Sequence, residues 1–454
     1  MKGDDRSIRQ YTELYDDHRH EVEAGSPAAM NAARRRARAA LDDLELPRKG
    51  DDGYAETDLR AMFSTDYCVN VTRLPFRADV AGAFRCGVPN VSTLTGVMAN
   101  DVFGPSEGLL KRLPEGVTVC TLRQAAERMP EVLERYYDTM TPADNAAVAL
   151  NTLLAQDGVL VYFSRNSVCD KAIQLVNILG GVTVPLLSMR RFLVVMEAGA
   201  SGRLLMCDHT ASGTEAKMAS DTVVEVNMGP GSHLELYDVQ ESCRGTERYA
   251  QLCVRQAADS SLLVNMTCLS CGLTRNDINV ELNGEGAECR LYGMTAASAG
   301  QRPDNSTLVV HNAPHCHSDQ LFKYVADGDA RCSFEGLIRV QEGAHHTEAY
   351  QSNRNILSGA EARMHTRPHL EIYCDDVKCS HGAATGQLNA DALFYMRTRG
   401  IPEAEARTML MQAFMADVID TIALVPLRDR IRHLSEMRLG GTAAGECSEC
   451  AAAQ

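Results

Sequence analysis

A dense group of side chains that can bind metal lies near the end of the chain, in the segment HLEIYCDDVKCSHGAATGQL at residues 369–388. Within eight residues it holds two thiols, two carboxylates and one imidazole, at Cys374, Asp375, Asp376, Cys379 and His381. Thiolate sulfur and imidazole nitrogen suit iron and zinc, whereas carboxylate oxygen suits harder ions. We therefore take Cys379 and His381 as the candidate ligands of a soft or borderline metal.

The spacing of these two residues also predicts what kind of site they form. Cys379 and His381 are two positions apart, so on a β-strand both side chains point to the same side. Two ligands leave a tetrahedral iron incomplete, which favours a shared or transient site. The alternative is that His381 is a hydrogen-bonded interface residue without a metal role.

The neighbouring groups are weaker candidates. Cys374 lies five positions before Cys379, so on a continuous strand it faces the other side, where it is expected to join the core. Asp375 and Asp376 are interpreted as turn-capping residues or as partners of basic side chains.

Other cysteine and histidine groups are scattered along the chain. CxxC pairs occur at residues 268–271 and 447–450, but structural zinc usually requires a second pair nearby. We interpret the first pair as core packing and place the second in a flexible tail. Imidazoles also fall in predicted turns at residues 315–317 and 345–346. The cysteines that we interpret as plain core residues are Cys253, Cys289 and Cys332.

Composition excludes several classes of function. The net charge is −15 and Trp is absent, which argues against nucleic-acid binding and against binding to anionic membranes. The apolar run near residues 172–189 is interrupted by Gly and Pro, so it predicts buried strands and not a membrane span. The charged N-terminal sequence lacks the apolar core of a secretory signal. We therefore expect a cytoplasmic protein whose 16 cysteines are reduced thiols.

Catalytic motifs are missing from the sequence. It contains no P-loop, no glycine-rich dinucleotide turn and no serine nucleophile elbow. We therefore predict no catalytic residue, and any ATPase activity must come from a partner. Two other classes stay open at this point: a β-solenoid carbohydrate-active enzyme, and a stand-alone redox or zinc protein that uses the CxxC pairs.

The elements around the metal-binding segment form three compositional regions. Residues 1–156 predict an N-terminal helical domain, with a helix that starts at Ser26-Pro27 and carries a basic cluster. We interpret that cluster, Arg34, Arg35, Arg36 and Arg38, as a solvated face. Residues 389–440 predict a C-terminal helical domain, and 441–454 a flexible tail. The apolar stripe of the last domain consists of Ala406, Leu410, Ala413, Phe414, Val418 and Ile422.

The middle region, residues 157–388, consists of short β-type segments separated by Gly, Asn, Asp and Ser. Apolar strand centres recur at Val226, Val254, Val280, Val310 and Val340, which are 28, 26, 30 and 30 residues apart. Such spacing fits one coil of a β-solenoid, in which each coil buries its face against the next. An antiparallel sandwich is the alternative.

Longer segments resemble a known family. The sequence DDVKCSHGAATGQL, followed by DALFYMRTRGIPEAEARTMLMQAF, is similar to the C-terminal signature of the SufB/SufD family of iron–sulfur cluster assembly proteins. The segments QSNRNILSGAEARMHTRPHLEI and FEGLIRVQEGAHHTEAYQ, which precede it, also resemble that family. The SufD-type branch is favoured because Gly382 follows the CSH motif, where SufB proteins usually carry Glu. A SufB-type primary scaffold is the alternative.

The resemblance implies a fold, a function and partners. The implied fold is mainly β, a right-handed parallel β-helix between N-terminal and C-terminal helical domains. The implied function is a non-catalytic scaffold for iron–sulfur cluster assembly that pairs with a SufB-type subunit and binds a SufC-type ATPase through the C-terminal helices. A homodimer is possible when the chain is alone.

The resemblance also implies the role of the candidate ligands. His381, with Cys379 beside it, would lie at the interface with SufB and contribute to a transient iron–sulfur cluster. The isolated chain would bind no cluster tightly.

Overall fold

The computed structural model describes residues 6–73, 93–211 and 213–440. The fold is mainly β, with a solenoid of about eight turns between N-terminal and C-terminal helices. The strands are β1 Thr93–Ala99, β2 Val102–Pro105, β3 Val117–Thr121, β4 Val159–Phe163, β5 Ala172–Leu179, β6 Leu186–Met196, β7 Ser201–Thr210, β8 Met218–Met228, β9 His233–Glu241, β10 Thr246–Gln256, β11 Ser261–Ser270, β12 Leu273–Leu282, β13 Glu288–Ala297, β14 Arg302–His311, β15 His317–Ala326, β16 Arg331–Val340, β17 Thr347–Leu357, β18 Arg363–Ile372 and β19 Val377–Gly386. The odd-numbered strands other than β3 form a ten-stranded sheet in the order β19-β17-β15-β13-β11-β9-β7-β5-β1, with β2 at its edge. The even-numbered strands β4–β18, together with β3, form a nine-stranded sheet.

Strand pairing decides between the two folds that the periodicity left open. Every strand from β5 to β19 pairs in parallel with the strand two positions along the chain, so the solenoid is confirmed and the antiparallel sandwich is excluded. Val226, Val254 and Val280 occupy equivalent positions, as predicted. The prediction was wrong for Val310 and Val340, because the residues in register with the first three are Val309 and Ile338.

The interior of the solenoid is apolar along one part of each coil and polar along the other. Val226, Val254 and Val280 belong to one continuous buried apolar cluster that runs through the coils. The polar part contains buried ion pairs, such as the 2.6 Å contact between Arg190 Nη1 and Asp208 Oδ1. Buried polar groups remain stable in such an interior only when neighbouring coils supply partners.

The N-terminal helices pack mainly on the nine-stranded sheet, except that the helix at residues 107–112 contacts β1 of the other sheet. They are α1 Arg6–Asp17, α2 Arg19–Glu23, α3 Ala28–Ala40, α4 Leu59–Phe63, α5 Glu107–Arg112, α6 Leu122–Arg128, α7 Pro130–Tyr136 and α8 Ala146–Leu154. Strands β1–β3 also lie before residue 157, so the sheets begin earlier in the chain than the predicted boundary. The division into domains stays a prediction.

The basic cluster on α3 is only partly a solvated face. Arg34 is fully buried, and its Nε donates a 3.0 Å hydrogen bond to the carbonyl oxygen of Leu153. Arg35 is exposed, while Arg36 and Arg38 form ion pairs with aspartates. The prediction was wrong for Arg34, because the end of α8 supplies carbonyl acceptors that the local sequence does not reveal.

The C-terminal helices, α9 Ala390–Thr398, α10 Glu403–Ile419 and α11 Val425–Leu439, follow the last strand. Helix α10 packs on the ten-stranded sheet through Met411, Met415 and Val418. Of the predicted stripe, Ala406, Val418 and Ile422 are buried, Leu410 and Phe414 are half-buried, and Ala413 is exposed. Among the described residues, no helix is both long and apolar enough to cross a membrane.

Candidate metal centre

The candidate ligands lie on the last coil of the solenoid. Among the described strands, β19 ends the ten-stranded sheet and pairs with β17 alone, and β18 ends the nine-stranded sheet and pairs with β16 alone. Nearly all side chains of β19 are exposed. The backbone groups on the free side of an edge strand have no partner within their sheet, so this end can pair with another surface.

Register places Cys379 and His381 on the side that faces the interior of the solenoid. Cys379 is level with Ala349 of β17, and His381 is level with Gln351, both of which are buried. Cys379 is half-buried and packs against the apolar cluster that contains Ala349 and Ile338. His381 is exposed because no further coil covers it. The two candidate ligands thus share the open end of the solenoid.

Partial burial affects the thiol of Cys379. It raises the pKa of Cys379 above its usual range, and a backbone hydrogen bond at Ala349 opposes this only in part. An ordinary thiol is mostly protonated at neutral pH, and the raised pKa favours the protonated form further. Binding of a cation would therefore release a proton from this sulfur.

Cys374 is buried, as predicted, although the reason differs. It lies in the turn between β18 and β19 and not on a continuous strand, so the alternation rule does not apply. It joins the same apolar cluster as Cys379, and its Sγ lies 3.3 Å from Nδ1 of His345. A ligand role for Cys374 is not needed to explain its burial.

Asp376 lies beside a neighbouring imidazole. Its Oδ2 is 3.1 Å from Nδ1 of His346, which is an ion pair when that imidazole is protonated. The interpretation of Asp375 stays a prediction. The ring of His346 stacks on that of His315 in the preceding coil, with centroids 4.7 Å apart. In the part of the chain that the structure describes, no group of three or more His, Cys, Asp or Glu residues could hold a metal ion.

The cysteines that the sequence analysis interpreted as core residues are buried where the structure describes them. Cys268 and Cys271 are buried, and a hydrogen bond between the two thiols raises the pKa of Cys268 and lowers that of Cys271. Burial raises the pKa of Cys253 to about 12 and also raises the pKa of Cys289 and of Cys332. The pair at 447–450 lies outside the described residues.

Sequence reasoning missed Gln351, the buried neighbour of His381 in the inward row. Its side chain is 3% exposed, and its Oε1 has no hydrogen-bond partner. The signal lay in Gly336, where an added Cβ would clash with the carboxamide of Gln351. Because the clash crosses the interior from one sheet to the other, only the assembled solenoid reveals it.

The fold and the site together define a class of protein. It is a β-solenoid whose last coil exposes an unpaired edge and an incomplete thiol and imidazole ligand pair. Residues 181–414 match the family model described as SUF system FeS cluster assembly, SufBD core domain, and residues 5–175 match the SufBD protein N-terminal region. The chain belongs to the SufBD family of iron–sulfur cluster assembly proteins.

Relatives with curated names agree with this family. An iron–sulfur cluster assembly SufBD family protein of Synechocystis is 28% identical over 404 residues, which cover 88% of each chain. The iron–sulfur cluster assembly protein SufD of Escherichia coli is 27% identical over 294 residues, 65% of this chain and 70% of that protein. The chloroplastic protein ABCI7 of Arabidopsis thaliana is 26% identical over 352 residues, 76% of this chain and 72% of that protein. Because the chain belongs to this family, we no longer interpret it as a carbohydrate-active enzyme or as a stand-alone redox or zinc protein.

Proposed function

We propose that the chain is a SufD-type scaffold subunit that contributes an incomplete ligand pair to a cluster assembled at its interface with a partner. The observation that carries this proposal is the position of Cys379 and His381 on the inward side of the last, uncovered coil. Iron and sulfide are the cargo of this site. Because the two residues leave iron short of ligands, a partner must supply the others.

The proposed partner is a SufB-type subunit that meets the open end of the solenoid. Strands β18 and β19 each have one free edge there, and a second β-structure can continue both sheets. A second copy of this chain could use the same edge when the partner is missing. A SufB-type primary scaffold is the alternative, but Cys379 and His381 alone are too few ligands to retain a cluster.

The proposed ATPase contact lies on the C-terminal helices. Helix α9 has no buried residue, and it exposes Phe394 by 69% and Tyr395 by 57%. Exposed aromatic side chains of this kind are typical of protein interfaces. Docking of a SufC-type ATPase on these helices would let nucleotide binding shift α10 against the solenoid and change the subunit interface. The chain itself performs no catalytic step in this scheme, and its cytoplasmic location stays a prediction.

The test is His381→Ala in the assembled complex. The side chain is exposed, so folding and complex formation should be unchanged, whereas anaerobic cluster reconstitution, followed by visible absorbance, should fall sharply. His233→Ala is the control, since His233 is 46% exposed on an inner coil. A full cluster yield from the His381→Ala complex would show that His381 is a structural residue and that the shared-ligand proposal is wrong.

A further inference from the structure

Two arginines meet on one serine hydroxyl where the C-terminal helices dock on the solenoid. Arg438 lies near the end of α11, and its Nη2 donates a 3.0 Å hydrogen bond to Oγ of Ser298, in the turn after β13. Arg244 lies in the turn between β9 and β10, and its Nη2 donates to the same oxygen at 3.1 Å. Two positive charges therefore converge on one neutral oxygen atom.

A buried amide holds the guanidinium of Arg438 in place. Gln301 is 1% exposed, and its Oε1 accepts the backbone N–H of Ser298 at 2.7 Å and a second hydrogen bond from Nη2 of Arg438. Its Nε2 donates to the carbonyl oxygen of Cys271 at 3.0 Å. These contacts engage Nη2 of Arg438, whereas its Nε is a buried donor without an acceptor among the described residues.

No carboxylate neutralises this pair of cations. In the part of the chain that the structure describes, neither Arg244 nor Arg438 forms an ion pair with an Asp or Glu side chain. Burial lowers the pKa of Arg438 and the charge of Arg244 lowers it further, opposed by the thiols of Cys268 and Cys271. The region thus carries positive charge that the described residues leave uncompensated.

A cavity of about 240 Å³ lies beside Arg438, between the C-terminal helices and the turns of the solenoid. Arg407 of α10 also lines this cavity, and its Nη2 is held by Oγ of Ser358 at 3.0 Å, without an ion pair among the described residues. The cavity wall contains one acidic residue, Asp327, which is exposed and pairs with neither guanidinium. The cavity therefore has an excess of positive charge.

The size and the donors of this cavity indicate what it can bind. Its volume of about 240 Å³ lies below the range of about 300–1,000 Å³ that is usual for organic ligands of drug size. The planar fork of a guanidinium matches two oxygens of a phosphate or a carboxylate. A phosphate dianion carries two charges and can accept hydrogen bonds from two guanidiniums at once, so it fits this cavity better than a carboxylate.

We propose that Arg407 and Arg438 bind a phosphate group in this cavity, and that Arg244 adds positive charge from the neighbouring turn. The bound anion would join α10, α11 and the turns of the solenoid, and so strengthen the docking of the C-terminal helices. This site is separate from Cys379 and His381, and the inference does not depend on the proposed function.

Titration calorimetry of the full chain with inorganic phosphate, at constant ionic strength in chloride, tests the inference. We expect saturable binding at one site and a melting temperature that rises with phosphate concentration. Arg407→Gln and Arg438→Gln should each weaken the affinity by about 10-fold or more, because each removes hydrogen bonds between charged groups. Arg244→Gln should weaken the affinity by less, because its charge acts without a direct contact.

Arg165→Gln is the matched control, because Arg165 is an exposed arginine in the turn after β4. It removes the same charge and should leave the affinity for phosphate unchanged. Arg438 also anchors α11, so circular dichroism is recorded for every variant. If Arg438→Gln loses helix content, Arg407→Gln decides the outcome, because the described hydrogen bonds of Arg407 involve Ser358 alone.

A phosphate group can arrive as the free ion or as part of a nucleotide, and a second titration with ATP distinguishes the two sources. The small cavity favours the free ion. Tighter binding of ATP that Arg407→Gln also weakens would instead assign the same site to the phosphate of a nucleotide. The inference is overturned if the natural chain shows no saturable binding, or if Arg407→Gln binds phosphate as tightly as the natural chain.

Discussion

Asp221 is a carboxyl group enclosed between the N-terminal helices and the solenoid. It lies on β8, and Asn151 of α8 donates a 2.9 Å hydrogen bond to its backbone carbonyl oxygen. Neither carboxylate oxygen has a hydrogen-bond partner among the described residues. Burial raises the pKa of Asp221 well above its usual range, against the opposing effects of Arg191 and Asn151, so the folded protein disfavours the ionised form of this group.

The raised pKa predicts how the stability of the protein depends on pH. Above the pKa of an unfolded Asp, about 3.9, the unfolded chain loses this proton while the folded chain keeps it. The contribution of Asp221 to the free energy of unfolding therefore falls as pH rises, by at most about 1.4 kcal/mol per pH unit, until the raised folded pKa is reached. Asp221→Asn should remove this loss and stabilise the protein more at pH 8 than at pH 5.

Urea unfolding of both proteins at the two pH values measures this difference. The exposed Asp170→Asn serves as the control for the loss of one carboxylate. An equal stability change at both pH values would mean that Asp221 is ionised in the folded protein.

At the scale of elements, the docking of α10 on the ten-stranded sheet depends on one buried cation and a row of apolar side chains. Lys323 of β15 is buried, and its Nζ donates a 2.6 Å hydrogen bond to the carbonyl oxygen of Phe414. The same ammonium lies 4.8 Å from the centroid of the Phe414 ring. Met415 is fully buried beside these groups, whereas Phe414 keeps partial contact with solvent.

These different degrees of burial predict the outcome of two truncations. Met415→Ala should destabilise the C-terminal helices by about 2–5 kcal/mol, because it leaves a cavity against the sheet. A fully buried phenylalanine loses about 3–5 kcal/mol of stability when it is truncated to Ala. Because Phe414 is only half-buried, Phe414→Ala should reduce the stability by less than this. Hydrogen exchange of α10 and the melting temperature measure both effects. If Phe414→Ala changes neither the melting temperature nor binding of the ATPase, the side chain belongs to neither interface.

At the scale of the whole molecule, the two ends of the solenoid differ. At one end each sheet finishes with an antiparallel strand, β2 or β3, whereas at the other end it finishes with a parallel strand, β19 or β18. A Cβ placed on Gly382 of β19 would meet no atom within 4 Å. A side chain there is therefore compatible with the fold of the chain but would stand at the edge where we propose that the partner pairs.

Gly382→Lys should leave the melting temperature of the isolated chain almost unchanged and abolish the complex with the SufB-type subunit. A charged side chain on an edge strand is an effective obstacle to pairing with another sheet. Co-expression followed by size-exclusion chromatography measures the complex, with Asp170→Lys as the control at an exposed site far from this edge in sequence. A complex of normal yield would place the partner interface elsewhere.

Several features of the molecule follow from local sequence alone. The change from helical to strand periodicity predicted the solenoid between helices, because side-chain direction repeats every two residues in a strand. The same rule placed Cys379 and His381 on one side of one strand. The number and the chemical hardness of these two ligands suggested an incomplete metal site without any knowledge of the residues around them.

Other features depend on residues that meet only after the coils stack. The sequence could not place Cys374 beside Cys379, since the turn between β18 and β19 interrupts the alternation of side chains. Arg34 is buried because α8 presents carbonyl oxygens to it from more than a hundred residues away. Gln351 is buried with an unpaired oxygen, and its carboxamide lies against Gly336 of the other sheet. Burial and hydrogen-bond satisfaction are sums over distant contacts, so only the tertiary structure decides them.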